Sequence, residues 1–366
     1  MDNHGTNLAE MFAAKAIEKF YEIAVTPMIT NDEYEGEIKG KASKLNILTF
    51  SESQGLQNYT GSDLTLGSTQ ESEATLNTDQ QKAYYFSVKS INTFKSYVED
   101  PESTLMVEKA GQLQEAIDAY VLGIAKADAA SGNRVGTSYT TGTVTVTVTT
   151  GAVTGSGTTF TSDMVGLGFK ASGHSVWYRI KTYTSATAIV IEDDRDDVTS
   201  AYTGGAIGAG ATYEIEAVTP VQVTSSTAYG YLLDLKKKLD QAKVPKANRW
   251  AVVDAAFMNK LLQEGVIVRD TAQGEDRTTN GFVTRLAGFD LYENEQLTGT
   301  NASGAGNGKW AVAGHKSAIV FAMAFTETGI EDLQANFGKA YKGLNVYGAK
   351  VTDERRKALA TLRYYT

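Results

Sequence analysis

DPESTLMVEKAGQLQEAIDAYVLGIAKADAASG, residues 100–132, is the stretch that organises the rest of the chain, and it reads as one long helix with both ends marked. Asp100 is suited to accept from the first free N–H groups, and Pro101 fits the first helical position, where its missing N–H costs nothing. Met106, Ala110, Leu113, Ile117, Tyr120, Val121 and Ile124 recur at spacings of three and four and so build one apolar stripe. Gly132 supplies the stop. Roughly thirty residues at about 1.5 Å each make a rod about 45 Å long, enough to span a domain. Alone, the stripe implies only that one face is buried in an α+β core.

Upstream, Leu8, Met11, Phe12, Ile17, Phe20, Tyr21 and Ala24 form a loose helical stripe ahead of Pro27. An amphipathic arm this short does not stay folded alone, so it is expected to pack on its own core or on a neighbour. From Tyr34 the pattern turns to strand, in Glu35-Gly36-Glu37-Ile38-Lys39-Gly40 and again in Leu45-Asn46-Ile47-Leu48-Thr49-Phe50. Ser51 to Thr75 is polar and rich in Gly and Ser, after which Tyr84 to Ile91 returns as a second strand. That spacing predicts a long projecting loop whose ends meet, too polar to bury and too long to be mere connection.

Downstream the composition shifts: between Val135 and Val218, Thr and Gly make up 30 of 84 residues. Val144, Val146 and Val148 alternate with Thr143, Thr145, Thr147 and Thr149, and Trp177–Ile180, Ala188–Ile191 and Thr212–Ile215 follow as short strands between Gly-rich turns. This predicts an all-β module, a small barrel or sandwich, inserted into a mixed core whose patterns resume after it. Ser225–Thr227 cap a helix carrying Tyr229, Leu232, Leu233, Lys236 and Leu239, which ends before Pro245. Arg249–Val253 reads as a buried strand, and Asp254 caps a helix with Phe257, Met258, Leu261 and Leu262 that stops at Gly265. Gly281 to Tyr292 is a strand broken by a glycine turn, Ser303 to Gly308 a loop, and Trp310–Phe325, Tyr341–Val351 and Ala358–Tyr365 close the core.

Composition narrows the function. The chain has 366 residues, 42% of them hydrophobic and 21% charged, so it can bury one large core or two to three smaller ones. It has no cysteine, which excludes disulfides, thiolate catalysis and a zinc–thiolate site. A formal charge of −9 argues against sequence-specific nucleic-acid binding, and the short basic runs Lys236–Lys238 and Arg355–Lys357 read as solvated faces. The start Met1-Asp2-Asn3-His4 is not a secretory signal, and the apolar run Ala318–Phe325 is too short to cross a bilayer, so a soluble, intracellularly made protein with no membrane contact is expected.

Chemistry-bearing patterns are sparse. His4, His174 and His315 are the only histidines, and His4 stands at the terminus, so a Ser-His-Asp triad or a histidine metal cluster would have to use His174 or His315 alone, and neither is expected to be catalytic. Gly308-Lys309 fails as a phosphate loop, with Ser303 where the upstream glycine belongs and Trp310 in the Ser/Thr position. Glu192-Asp193-Asp194-Arg195-Asp196-Asp197 offers oxygen ligands but lacks the glycine and distal glutamate of a calcium loop, and it reads as a solvated turn. Gly204-Gly205 and Gly208-Ala209-Gly210 read as turns and not as a dinucleotide cradle. No catalytic, cofactor-binding or metal site is expected, and no enzyme.

Leu76-Asn77-Thr78-Asp79-Gln80-Gln81-Lys82-Ala83-Tyr84-Tyr85-Phe86-Ser87-Val88-Lys89-Ser90-Ile91-Asn92, running into the long helix, resembles the tailed-bacteriophage major capsid proteins of the Hong Kong 97 type. Val244-Pro245 through Arg249–Asp254, Phe337 through Val351 and Tyr34-Glu35-Gly36-Glu37 resemble the same family, so the likeness covers most of the chain outside Val135–Val218. The resemblance implies an α+β capsid fold with an N-terminal arm (1–33), an extended loop with peripheral strands (34–95) and a spine helix (96–134). An inserted β domain (135–218), an axial domain (219–328) and closing strands of the peripheral and axial domains (329–366) would follow. It implies a subunit that assembles, in the bacterial host cytoplasm, as hexamers and pentamers of an icosahedral head shell around non-specifically packaged double-stranded DNA. Portal, decoration protein or host surface would be further partners. Only about thirty residues precede the loop, so no built-in scaffolding segment is evident, and assembly that needs scaffolding would take it from a separate protein. Isopeptide cross-links like those of some family members would need Lys39, Lys41 or Lys44 with Asn336 or Asn345, and no pattern selects them. Two alternatives stay open: a nanocompartment shell of the same fold, which normally lacks a large β insertion, and a tail or surface adhesin in which Trp177, Tyr178 and Tyr183 stack on sugars instead of packing in a core.

Overall fold

The computed structural model describes residues 24–31, 44–50, 71–89, 101–194, 201–265, 282–297, 299–334 and 337–366. The arm before Ala24, the strand expected at Tyr34–Gly40, Asp100, Lys39, Lys41 and Asn336 lie outside the described residues. In chain order the elements are α1 (Thr26–Ile29), β1 (Lys44–Phe50), β2 (Glu71–Asn77), β3 (Gln80–Lys89), α2 (Pro101–Ala127), β4 (Arg134–Val135), β5 (Thr137–Tyr139), β6 (Thr143–Val146), β7 (Ala152–Ser156), β8 (Gly168–Ala171), β9 (Tyr178–Ser185), β10 (Ala188–Asp193), β11 (Ile207–Ala211) and β12 (Tyr213–Thr219). There follow β13 (Val221–Gln222), α3 (Ala228–Gln241), β14 (Arg249–Val253), α4 (Ala255–Glu264), β15 (Phe282–Leu286), β16 (Phe289–Glu293), β17 (Lys309–His315), β18 (Ile319–Asp332), β19 (Gly338–Val351) and β20 (Leu359–Tyr365).

The long helix forms, but it is shorter than its sequence marks. α2 has 27 residues, about 40 Å. It ends five residues before Gly132, which sits instead at φ +93° in the turn that follows, where an added Cβ would lie 2.6 Å from the Trp177 ring. Guanidinium groups serve the helix end: Arg134 donates to Ala127 O at 3.0 Å and Arg356 to Asp128 O at 3.2 Å, cations where the C-terminal carbonyls gather partial negative charge. Burial along the stripe is uneven. Ile117, Val121, Leu122 and Ala125 are buried, whereas Ala110 is exposed and Met106 and Leu113 are only half-buried.

The main core packs α2, α3 and α4 against a mixed sheet in the order β13-β20-β17-β14-β16-β15, with β4 also pairing on β20. Central β14 is buried along its whole length, which is why it reads as Arg-Trp-Ala-Val-Val without alternation. Asp254 caps α4 as expected, its carboxylate accepting from Phe257 N at 2.8 Å, and Gly265 ends the helix at φ +74°. α3 differs from its reading: no hydroxyl caps it, and the Glu264 carboxylate of α4 takes Tyr229 N at 2.9 Å instead. Its buried row is Ala228, Leu232, Leu235 and Leu239, with Leu233 exposed.

The loop reading also needs correction. The partner of β1 is β2, in register from Lys44↔Asn77 to Phe50↔Glu71, so part of the supposed polar loop is itself a strand whose backbone is satisfied by cross-strand pairing. β3 joins a different sheet, β18-β19-β3, in which two 14-residue strands pair from Ile319↔Val351 to Asp332↔Lys339. At about 3.3 Å per residue this ribbon is about 46 Å long. Gly343 lets the Tyr84 ring lie across the ribbon, since a Cβ there would come within 2.3 Å of it. Gly343→Val is expected to displace Tyr84 and lower stability by about 1–3 kcal/mol, checked by urea unfolding.

Residues 137–219 build one eight-stranded sheet, β11-β6-β7-β10-β9-β8-β12-β5, around a core of their own. Val144, Val146, Val153, Phe169, Ile180, Ile189 and Ile215 fill it. β6 alternates as expected, but it stops at Val146: Val148 is exposed and Thr149 turns through φ +73°. Gly208 and Gly210 lie inside β11 and not in a turn. Thr137 and Thr219 are register partners, so the two ends of this unit leave side by side.

Candidate functional site

The residues that might have carried chemistry are already engaged in structure. His174 is buried, with Nδ1 accepting from Ala171 N at 3.2 Å and Nε2 against Tyr202 OH at 2.8 Å; burial, then the nearby Lys170, holds its pKa below the ordinary imidazole value. His315 Nδ1 meets Ser317 Oγ at 2.8 Å, and burial with the charges of Arg355 and Arg249 lowers its pKa too. Lys309 is no phosphate lysine. It pairs with the Asp254 carboxylate that caps α4, and Tyr364 OH donates to the same carboxylate. Of the acidic run, Glu192 pairs with Lys181 at 3.0 Å, Asp193 accepts from Thr203 N at 3.0 Å and Asp194 pairs with Arg356 at 2.9 Å, so these three carboxylates hold structure, while Arg195, Asp196 and Asp197 lie outside the described residues. Tyr178 is buried in the module core, Trp177 packs at Gly132 beneath Lys170, and Tyr183 is exposed, so the three build no common sugar-stacking platform. Lys44 is exposed at the start of β1, while Asn345 is buried in β19 opposite Lys82.

What the fold does assemble are joints. Asp118 lies on the buried face of α2 and accepts from Val25 N at 2.9 Å, Thr26 N at 3.0 Å, Thr26 Oγ1 at 2.6 Å and Asn294 Nδ2 at 3.3 Å. One carboxylate thus ties the chain entering at α1 to the long helix and to the strand layer behind it. A charged side chain inside an apolar stripe was the available sign in the sequence.

A second joint links the 137–219 unit to the main core. Glu216 pairs with Arg134 at 3.1 Å and accepts from Gly132 N at 2.7 Å and Gly168 N at 3.1 Å. Burial raises the Glu216 pKa, and the Arg134 charge and these donors work against that rise. Arg363 donates to Ala217 O at 3.2 Å and Val218 O at 2.9 Å and stacks over Trp310 at 5.4 Å. With Arg356–Asp194, the joint consists of three buried arginines reaching for carboxylates and carbonyls, and the two apolar cores stay separate. Sequence reading missed Glu216, because alternation with Glu214 across Ile215 makes it look like a solvent-facing residue.

A third feature is apolar surface on the ribbon. Phe337 is 91% exposed, Tyr85 67% and Ile330 64%, and all three belong to the β18-β19-β3 sheet or its turn. The register sets Ile330 beside Tyr341 and Phe86 on one face and Tyr85 beside Lys342 on the other, so both faces of the ribbon expose large apolar side chains, a mark of interaction surface.

No family model and no curated protein matches the chain. Solved structures do. A structure from Mycobacterium phage Che8 is similar at a TM-score of 0.62 and 16% identity, covering 98% of each chain. The capsid structure of the cyanophage P-SCSP1u is similar at 0.59 and 14% identity over 98% of this chain and 93% of that one. The capsid of Ralstonia phage GP4 is similar at 0.57 and 9% identity over 100% and 97%. At such low identity the likeness speaks to backbone architecture, and from one end to the other this chain has the fold found in phage capsid structures.

Proposed function

We propose that this chain is the major capsid protein of a tailed bacteriophage, a non-catalytic subunit that self-assembles into the icosahedral head shell around the double-stranded DNA genome. The observation that carries it is the mutual near-complete coverage of this chain and chains from phage capsid structures. Within the Hong Kong 97 arrangement, α2 is the spine helix, β18-β19-β3 the peripheral ribbon, the mixed sheet with α3 and α4 the axial core, and 137–219 the inserted domain. The protein acts in the virion. Hexamers and pentamers of it form the shell with a separate scaffolding protein and a portal, and the inserted domain is the site for a decoration protein or host surface. The adhesin reading loses its support because Trp177, Tyr178 and Tyr183 do not share a surface. The nanocompartment reading is disfavoured by the large β unit.

The test is particle formation: the chain is expressed with and without phage structural genes and the high-mass fraction imaged. Hollow icosahedral shells support the proposal, whereas a stable monomer or trimer under every condition refutes it. Changing Phe337, Ile330 and Tyr85 together to Ser is expected to leave the unfolding midpoint of the subunit nearly unchanged, because these side chains are exposed in it, and to reduce particle yield by tenfold or more. Removing roughly 3 kcal/mol of apolar burial per contact is enough for that in a lattice that repeats the contact in every subunit.

A further inference from the structure

At one end of the main sheet, three loops converge because their strands are neighbours: β14 begins at Arg249 opposite His315, where β17 ends, and β20 begins at Leu359 opposite Gly314. The loops carry Lys243 and Lys246, then Lys316, then Arg355 and Lys357. Lys243, Lys246, Arg355 and Lys357 are exposed, and none of these five cations makes an ion pair among the described residues. Asp353 and Glu354 are the carboxylates beside them, and Asp240 is already spent on Arg249 at 2.8 Å. In a chain of net charge −9 this is a concentration of the opposite sign.

The loops frame a cavity of about 370 Å³ whose lining includes Lys243, Arg355 and Lys357 with His315 and Ser317, and one carboxylate, Glu354. Its walls are held in place. Arg355 Nη1 donates to Ser317 O at 2.7 Å, Lys316 N to Asn248 O at 3.0 Å, and Ser317 N to His315 Nδ1 at 3.2 Å. Burial first, then the charges of Arg355 and Arg249, holds the His315 pKa below the ordinary imidazole value.

We propose that this end of the sheet is a nucleic-acid contact that takes the phosphodiester backbone of double-stranded DNA without reading its sequence. The proposal rests on the shell reading, in which packaged duplex is the available polyanion. The chemistry favours duplex over the alternatives. The exposed large apolar side chains of the described residues all lie elsewhere, so a protein partner would find charges but no apolar centre to bury. Nor does the cavity lining include, among the described residues, a Phe, Tyr or Trp ring on which single-stranded bases could stack. Cations on flexible stems around a cleft suit phosphates, whose contacts position a protein and carry no sequence information.

The test measures fluorescence anisotropy of a labelled duplex of about 30 base pairs with the full-length subunit over about 25–200 mM salt. A single-stranded oligonucleotide and poly-glutamate serve as parallel probes. Duplex binding is expected to weaken linearly in log salt. The variant Lys243→Ala/Lys246→Ala/Lys357→Ala should bind at least tenfold more weakly at low salt, with a slope shallower by about 2.7 for the three lost phosphate contacts. A control variant, Lys82→Ala/Lys237→Ala/Lys260→Ala, should bind as the unaltered chain does. Should the triple variant fold poorly, K243Q and K357Q alone are each expected to flatten the slope by about one. Unchanged duplex binding in these variants overturns the proposal. So does binding of poly-glutamate, lost in the triple variant, without duplex binding, which would assign the patch to an acidic protein. Particle imaging keeps the two readings apart: normal shells with an indifferent triple variant sink only the contact, and an absence of shells sinks the shell reading while the binding curve of the subunit still stands on its own.

Discussion

Val121→Asp is expected to abolish the folded subunit. Val121 is fully buried in the main core on the face α2 turns to the mixed sheet. The substitution forfeits about 1.5–3 kcal/mol of apolar burial. It also places a carboxylate where there is no cation, which adds several kcal/mol whether the group ionises or takes up a proton. A domain holds only about 5–15 kcal/mol in total, so the sum removes most of its stability. Expression should yield the variant in the insoluble fraction, and any soluble residue should lack a cooperative unfolding transition. The paired change Leu113→Asp and Ile117→Asp is expected to be less damaging per residue, because Leu113 is only half-buried. Normal particles from Val121→Asp would show that α2 does not support the lattice subunit in the way argued here.

The second large effect is an inversion of what size suggests. Removing the single carboxylate of Glu216, as Glu216→Ala, is expected to cost more than excising residues 137–219 and joining Gly136 to Pro220. In the point variant Arg134 stays buried with its ion pair gone, a loss of about 3–5 kcal/mol. In the excision, Arg134, Arg356 and Arg363 regain water together, and because the two cores are separate and the joint is polar, little apolar surface is uncovered. The ends already meet, Thr137 facing Thr219, so closure adds little strain. Urea unfolding of both proteins checks the order; a folded Glu216→Ala beside an unfolded excision would reverse it. Acid should discriminate further. In Arg134→Met, Glu216 loses its cation, so its folded-state pKa lies above the already raised native one and above the unfolded value. The folded state then binds the extra proton, and the variant's deficit should shrink as pH falls through that raised pKa towards the ordinary carboxylate range.

The resemblance and the element order were legible because they rest on local signals. β14 as an unbroken apolar run, Asp254 and Gly265 at the ends of α4, Val144 and Val146 alternating in β6, and the compositional break at Val135 each follow from a period or a cap visible within a few residues. The errors have one cause. The sequence sets 45–50 against the strand at Tyr84 because Glu71–Asn77 offers only Ala74 and Leu76 among polar residues; in the fold Leu76 is fully buried opposite Leu45, and β3 is claimed by β19, some 250 residues on by chain position. The stop at Gly132 failed because guanidiniums from Arg134 and Arg356 ended α2 first.

By itself, then, the sequence determined the long helix, the β unit inside a mixed core and the absence of thiolate chemistry, since period, composition and residue inventory are properties of the chain alone. Only the tertiary structure decided the joints and surfaces on which function depends: Asp118 gathering α1, Glu216 opposite Arg134, the apolar ribbon at Phe337, and five cations meeting at one end of a sheet. A buried charge, an exposed ring or a cluster of lysines is defined by what surrounds it, and those surroundings are brought from distant parts of the chain when it folds.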